Sequence, residues 1–248
     1  MKVSATLSGG FVKGVVHIGF LKALEYKGLP PSFVCGASAG ALIGGLYCAG
    51  YSPDELLEIA KKYSWYKLAS PSLRGALFKL DGLYRALKEL LGDKDIEEFK
   101  IPFGLTVVNL RTLKCEFKRS GPAAELITAS CSIPPLFSPW KVGGEFYIDG
   151  GVRNSLPAEM GKAFGVELNV CSRVLFSYKG SSLDSIREIT LRTVCASLVE
   201  TQERRLPYCD IIVNHKFREG FLSFKEIEKT VNFGFNNTLR ELEESGYG

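Results

Sequence analysis

Three stretches of this chain hold residues that could do chemistry together. Gly36-Ala37-Ser38-Ala39-Gly40 follows an apolar, strand-like run from Pro31 to Cys35 and leads into a small-residue helical run, Ala41 to Ala49. A serine in Gly-x-Ser-x-Gly on a sharp strand-to-helix turn is a nucleophile elbow. Gly36 and Gly40 let neighbouring backbone come close and tolerate the dihedrals of the turn. At a helix N-terminus, Ser38 would sit where free N–H groups favour developing negative charge. A serine hydroxyl is a poor nucleophile until a base takes its proton, and acyl transfer also needs donors aimed at the developing oxyanion. Asp149, at a strand end before Gly150-Gly151, is placed to offer the carboxylate. The loop Ser8-Gly9-Gly10 through Gly14 can expose successive backbone N–H groups. The chemistry these residues suit is nucleophilic attack on an ester carbonyl.

Each stretch alone has a plainer reading. The glycine loop could cradle a phosphate, but its spacing fits neither Gly-x-Gly-x-x-Gly nor Gly-x-x-x-x-Gly-Lys-Ser/Thr. Phe33 to Tyr51 carries no charge, and Gly36, Gly40 and Gly44 form the small-residue row that membrane helices use to pack. Pro30-Pro31 before it, Ser52-Pro53-Asp54 after it and its many glycines instead describe a strand and a buried helix. Asp-Gly-Gly by itself is commonly a turn.

Positioning these residues requires a folded domain, and the composition supplies one. The 248 residues are 46% hydrophobic and 23% charged, with a net charge of +4, values of an ordinary globular domain without the strong basic bias of a nucleic-acid binder. The two histidines, His17 and His215, are too few for a histidine-rich metal site. The seven cysteines are scattered and odd in number. They read as reduced, buried thiols of a cytoplasmic protein, since Met1-Lys2 runs straight into a strand with no secretory signal.

The elements follow from periodicity and punctuation. Val3 to Leu7 is a strand, the glycine loop follows, and a helix with Val15, Val16, Ile18, Phe20, Leu21 and Leu24 inward ends at Gly28. With the second strand and the elbow helix this is a right-handed βαβ unit in a parallel sheet, with both active loops at the carboxyl ends of neighbouring strands. Ser52-Pro53-Asp54-Glu55 starts a helix that runs to about Tyr63. Ser64 to Leu80 is irregular, aromatic and basic, a candidate lid or lipid-entry surface beside the plainer reading of a packed connector. Asp81-Gly82-Leu83 opens a helix ending near Gly92. Strands are expected at 101–110, 115–118, 140–142, 145–148, 166–171 and 211–214. Gly143-Gly144 turns a hairpin. Further helices are expected at 123–131, 157–164, 183–205 and 224–244, the last capped by Ser223. With no repeat and no linker, residues 1–248 read as one domain.

Four blocks taken in series carry more than each alone. They are Leu7-Ser8-Gly9-Gly10-Phe11-Val12-Lys13-Gly14, then Gly36-Ala37-Ser38-Ala39-Gly40, then Ala129-Ser130-Cys131-Ser132-Ile133-Pro134-Pro135, then Asp149-Gly150-Gly151-Val152-Arg153-Asn154. In order and approximate spacing the chain resembles the patatin-like phospholipases over nearly its whole length. That resemblance implies a three-layer α/β/α sandwich with a mainly parallel sheet. It also implies a metal- and cofactor-independent lipid acyl hydrolase of phospholipase A, lysophospholipase or esterase type. The family's nucleophile falls on Ser38, its aspartate on Asp149, and its oxyanion glycines on Gly9 and Gly10. Lys13 takes the basic position of the loop, and Phe11 and Ala39 complete the expected oxyanion set. Gly14, Gly36, Gly40, Gly150 and Gly151 are the motif glycines. Phe11 stands where the family usually has a third glycine; if that position needs positive φ, a phenylalanine is strained there and its ring crowds the acyl site. The implied partners are a lipid or small ester substrate and, transiently, a membrane surface at the inner face, with no nucleic acid. Two alternatives remain: an α/β-hydrolase using Ser38, Asp149 and His215, and a non-catalytic lipid-binding module. In the main reading His17 packs or caps the first helix and His215 faces solvent in a polar loop.

Overall fold

Strand, glycine loop and helix follow one another from the first residues of the computed structural model, which describes residues 1–63, 68–72, 76–177, 184, 186–218 and 226–247. β1 (Val3–Leu7) leads through the loop and a 3-10 turn over Phe11–Val15 into α1 (Val16–Tyr26). Gly28, at φ 69°, closes that helix. β2 (Phe33–Gly36) passes through the elbow into α2 (Ala39–Ala49). The uncharged stretch is therefore divided between strand and helix, and no described helix is long and apolar enough to cross a membrane. α3 (Pro53–Lys62) begins with a reciprocal cap: Ser52 N–H donates to Glu55 Oε2 at 2.8 Å and Glu55 N–H donates to Ser52 Oγ at 3.3 Å.

A two-stranded ribbon, β3 (Ser70–Pro71) with β4 (Phe78–Lys79), comes from the stretch expected to be irregular; residues 64–67 and 73–75 of that stretch lie outside the described residues. Then come α4 (Asp81–Leu91), β5 (Phe103–Asn109), β6 (Cys115–Lys118) and α5 (Ala123–Ser130). The hairpin β7 (Trp140–Val142) and β8 (Glu145–Asp149) turns at Gly143 and Gly144, both at positive φ. α6 (Gly151–Asn154), α7 (Ala158–Ala163), β9 (Leu168–Ser177), α8 (Ile186–Glu203), β10 (Ile211–Arg218) and α9 (Ile227–Glu244) complete the chain. Ser223, the expected cap of α9, lies outside the described residues; Glu226 directly precedes the helix.

The main sheet has the order β10-β9-β1-β2-β5-β8-β7, with β6 also on β5. The five strands from β10 to β5 are parallel; β6 and β8 run antiparallel to β5, and β7 to β8. Strand alternation assigns the faces. Leu7 and Val34 meet Gly44 of α2 on one side. Ser4 and Phe33 face the other, where Ser4 meets Gly161 of α7 and Phe33 stacks on Phe164 with ring centroids 4.3 Å apart. The result is a mixed sheet between two helical layers, with the largest core on the α1–α2 side, where Phe20, Leu24 and Leu105 are fully buried.

Two expectations are corrected by this fold. The cysteines do not all stay reduced: β9 and the turn before β10 bring Cys171 and Cys209 together in a disulfide with Cα atoms 5.9 Å apart, while Cys35, Cys48, Cys115 and Cys131 remain thiols. His215 is not in a solvent-facing loop. β10 continues to Arg218, so His215 lies inside the sheet and is fully buried.

Candidate active site

The elbow forms because small residues remove every obstacle to it. A Cβ on Gly36 would come within 2.5 Å of the Gly40 backbone, and one on Gly40 within 2.2 Å of the Leu7 carbonyl oxygen. Ser38 takes φ 54°, ψ −123° at the start of α2. This is a region a non-glycine residue enters at a cost and holds only when its surroundings fix it. They do: Ser38 N–H donates to Ser130 Oγ at 3.0 Å, Ser130 Oγ donates to the Thr106 carbonyl at 2.8 Å, and Cys131 Sγ lies 3.4 Å from the Ser38 carbonyl. Ser130 and Cys131 come from the third sequence block, whose role the sequence left unassigned.

Asp149 ends β8 opposite Val107 of β5 and is 1% exposed. Its carboxylate accepts the Gly151 N–H at 2.7 Å. Burial pushes its pKa up to about 7, against the opposing pull of the Ser38 side chain and the Gly151 N–H. Gly150 is required by contact, since a Cβ there would sit 2.2 Å from the Thr106 carbonyl oxygen. Elbow and carboxylate thus meet over the C-terminal half of β5, although 111 positions separate their numbers in the chain.

The glycine loop lies on the serine: a Cβ on Gly9 would be 3.5 Å from Ser38 Cβ. Its peptides are pinned one by one. The Ser8 N–H donates to the Ser172 carbonyl at 3.0 Å, and the Ser8 carbonyl accepts from His17 Nε2 at 2.9 Å. Ser8 Oγ accepts the Val174 N–H at 2.9 Å and donates to the Gly9 carbonyl at 2.9 Å. The Gly9 N–H, expected to serve the oxyanion, donates to the Ser155 carbonyl at 3.0 Å. Holding the Gly9 carbonyl turns the N–H of the same peptide, that of Gly10, the other way. Gly10 then leads into the 3-10 turn, and its carbonyl accepts the Gly14 N–H at 3.2 Å.

Phe11 does take positive φ, 47°, and its ring lines the cavity beside Ser38 while meeting the edge of Phe176 at 6.4 Å between centroids. The Lys13 ammonium lies over the Phe217 ring, 5.5 Å from the centroid, and Lys13 is not among the residues lining the cavity. Ala39, first residue of α2, is. That cavity, of about 130 Å³, is otherwise walled by apolar groups, among them Val12, Val15, Leu42, Leu80, Ile133 and Phe137.

Both histidines are buried away from this chemistry, in a relay with one consistent direction. His17 Nε2 donates to the Ser8 carbonyl, so Nδ1 accepts from Ser172 Oγ at 2.8 Å. Ser172 Oγ in turn accepts from His215 Nε2 at 3.0 Å, and His215 Nδ1 accepts from Asn237 Nδ2 at 3.2 Å. Burial lowers the pKa of His17 to about 4 and that of His215 to about 3, so both are neutral at ordinary pH. With its nitrogens on Ser172 and Asn237, His215 is not arranged as the third member of a triad with Ser38 and Asp149. Among the described residues no cluster of His, Cys, Asp or Glu could hold a metal ion.

A serine on a sharp strand-to-helix turn near a buried carboxylate in a mixed α/β sheet points to a class, and comparison with known proteins identifies it. A family model described as "Patatin-like phospholipase" matches residues 5–161, and the chain belongs to that family. Lysophospholipase NTE1 of Yarrowia lipolytica is 32% identical over 189 residues, covering 73% of this chain and 13% of that protein. An uncharacterized NTE family protein of Mycobacterium tuberculosis is 28% identical over 193 residues, 76% of this chain and 53% of that one. The chain thus spans about half, or much less, of the length of these relatives. Among solved structures, VipD from Legionella pneumophila aligns with 98% of this chain and 67% of its own at TM-score 0.55 and 16% identity. ExoU from Pseudomonas aeruginosa, in complex with SpcU, aligns with 99% and 52% at TM-score 0.54 and 12% identity. These two share the fold.

Proposed function

We propose that this chain hydrolyses carboxylic esters of lipids through an acyl-enzyme on Ser38, with Asp149 as base. The observation that carries the reading is a fully buried Asp149 whose pKa burial raises to about 7 against the pull of the neighbouring Ser38 side chain, a value suited to taking and returning a proton near neutral pH. Asp149 accepts the hydroxyl proton as Ser38 Oγ attacks the ester carbonyl. The N–H groups of Gly10 and Ala39 hold the tetrahedral oxyanion, and the start of α2 adds its dipole. The C–O bond to the leaving alcohol breaks and the alcohol departs with the proton from Asp149. Asp149 then takes a proton from water as that water attacks the acyl-enzyme carbonyl, and returns it to Ser38 Oγ as the acyl–Oγ bond breaks and the fatty acid leaves. Every group in this cycle is the protein's own. The apolar cavity beside Ser38 and the family's lysophospholipase members support a lipid rather than a polar ester.

A fluorophosphonate probe should label Ser38, with Ser38→Ala folded but unlabelled. Asp149→Asn should lower ester hydrolysis by about two to four orders of magnitude. Labelling at another serine, or a loss under threefold in Asp149→Asn, would falsify the assignment.

A further inference from the structure

The cavity beside Ser38 does not end the apolar space. Behind it, between α2, α3 and α4, lies a second cavity of about 90 Å³. Val15, Leu42, Ile43, Leu68 and Leu83 line both, so the two chambers are separated only by aliphatic side chains. The far chamber is further lined by leucines of α2, α3 and α4 together with Ile59, Ala60, Tyr63 and Ala86. Among the described residues no charged side chain lines either chamber. The gap lies between three helices whose Leu46, Leu56 and Leu87 are at 3% exposure or less, while Ile59, Ala60 and Leu90 beside it are half-buried.

We propose that the two chambers form one acyl-chain channel, with Ser38 at its mouth and Ala60 and Ala86 at its end, and that its length sets the preferred chain. This rests on the reading of Ser38 as nucleophile and names the substrate for it: an ester of a medium-length, unbranched fatty acid. An apolar cavity of about 150 Å³ takes one benzene; by that scale the two chambers in series take roughly nine or ten carbons. A largely apolar wall gains from each added methylene until the chain reaches the end of the space, and beyond that length further carbons must stay outside or force the helices apart. Unbranched chains are favoured because they can pass the side chains shared between the chambers in single file. Ala60 and Ala86 are the positions where a larger side chain would fill the far chamber from its end without touching the elbow, the glycine loop or Asp149.

The test uses p-nitrophenyl esters from butyrate to palmitate on the wild type, Ala86→Phe and, in case that variant fails to fold, Ala60→Phe. In the wild type kcat/KM should climb with chain length to about decanoate and level or fall beyond it. In either variant the ratio of decanoate to butyrate turnover should fall at least tenfold, with the optimum moved to shorter chains. An unchanged ratio in a folded variant, or a wild-type profile flat from butyrate to palmitate, overturns the channel. Should the wild type cleave no ester at all, the proposed function fails instead, and the channel is then judged by calorimetric titration with decanoate. Binding to the wild type that is lost in Ala86→Phe upholds it, and equal or absent binding in both rejects it.

Discussion

Asp149 holds its place at a cost. Its carboxyl pKa is raised from 3.8 to about 7 by burial, so the folded chain keeps a proton there that the unfolded chain gives up. The stability this contributes is full below about pH 4 and is lost as the pH rises through 7. An asparagine in its place would carry no charge at any pH. Asp149→Asn should therefore melt higher than the wild type at pH 8, with the gap closing at pH 4.5; an equal difference at both would show that burial of the carboxylate does not set the difference. Ser8 is the residue the sequence left without a part. Its hydroxyl fixes the peptide whose N–H is proposed to hold the oxyanion, by way of the Gly9 carbonyl and the Val174 N–H. One oxyanion donor is worth about a hundred- to a thousandfold in kcat. A donor loosened rather than removed should cost less, so Ser8→Ala should lower kcat about tenfold or more and barely move KM. Ser8→Cys, with a weaker donor, should recover part of the loss. A variant changed mainly in KM would place Ser8 in binding instead.

The elements were most legible where their punctuation is local. β1, β6 and β7 occupy the expected residues, and the Ser52 cap and the Gly143-Gly144 turn come straight from short signals. β9 and β10 run on past the expected ends at Cys171 and Asn214. Ser172, Arg173 and His215 are polar and read as loop, yet each is buried and satisfied by a partner far along the chain, Arg173 by Gln202 Oε1 at 2.8 Å. Such partners are set by the fold and leave no periodic trace. The crossing of α1 and α9 was equally silent. There a Cβ on Gly19 would come within 1.9 Å of the Val231 carbonyl oxygen, and one on Gly234 within 2.3 Å of the Val16 carbonyl oxygen. Backbone meets backbone, so no side chain can give way. Gly234→Ala should destabilise by about 1–3 kcal/mol and lower Tm by roughly 2–4 °C for each kcal/mol. Thermal melts that superpose on the wild type would count against so close a crossing.

At the scale of the molecule, the four sequence blocks indicated the sheet, its helical layers and the pair of residues at its centre, because a turn, a loop and a strand end each need particular residue types. They said nothing of the polar core joining α9 to the glycine loop. His17 and His215 sit there with pKa values lowered to about 4 and about 3, below the unfolded value near 6.5. Their contribution to stability is present above pH 6.5 and is lost as the pH falls toward 3. Asp149 works the other way between about pH 4 and 7, but it is one group against two. Melting temperature should therefore fall from pH 6.5 to pH 4, and His215→Gln should make that fall shallower, whatever it does to the melting temperature at pH 7. A slope as steep as the wild type would clear His215 of the acid response. The same core has a kinetic meaning. The Val174 amide is bonded to a side chain of the glycine loop, so its proton is released to solvent when that loop lets go. Deuterium uptake at this single amide, followed by NMR with nothing bound, would clock how often the pocket beside Ser38 takes itself apart and rebuilds.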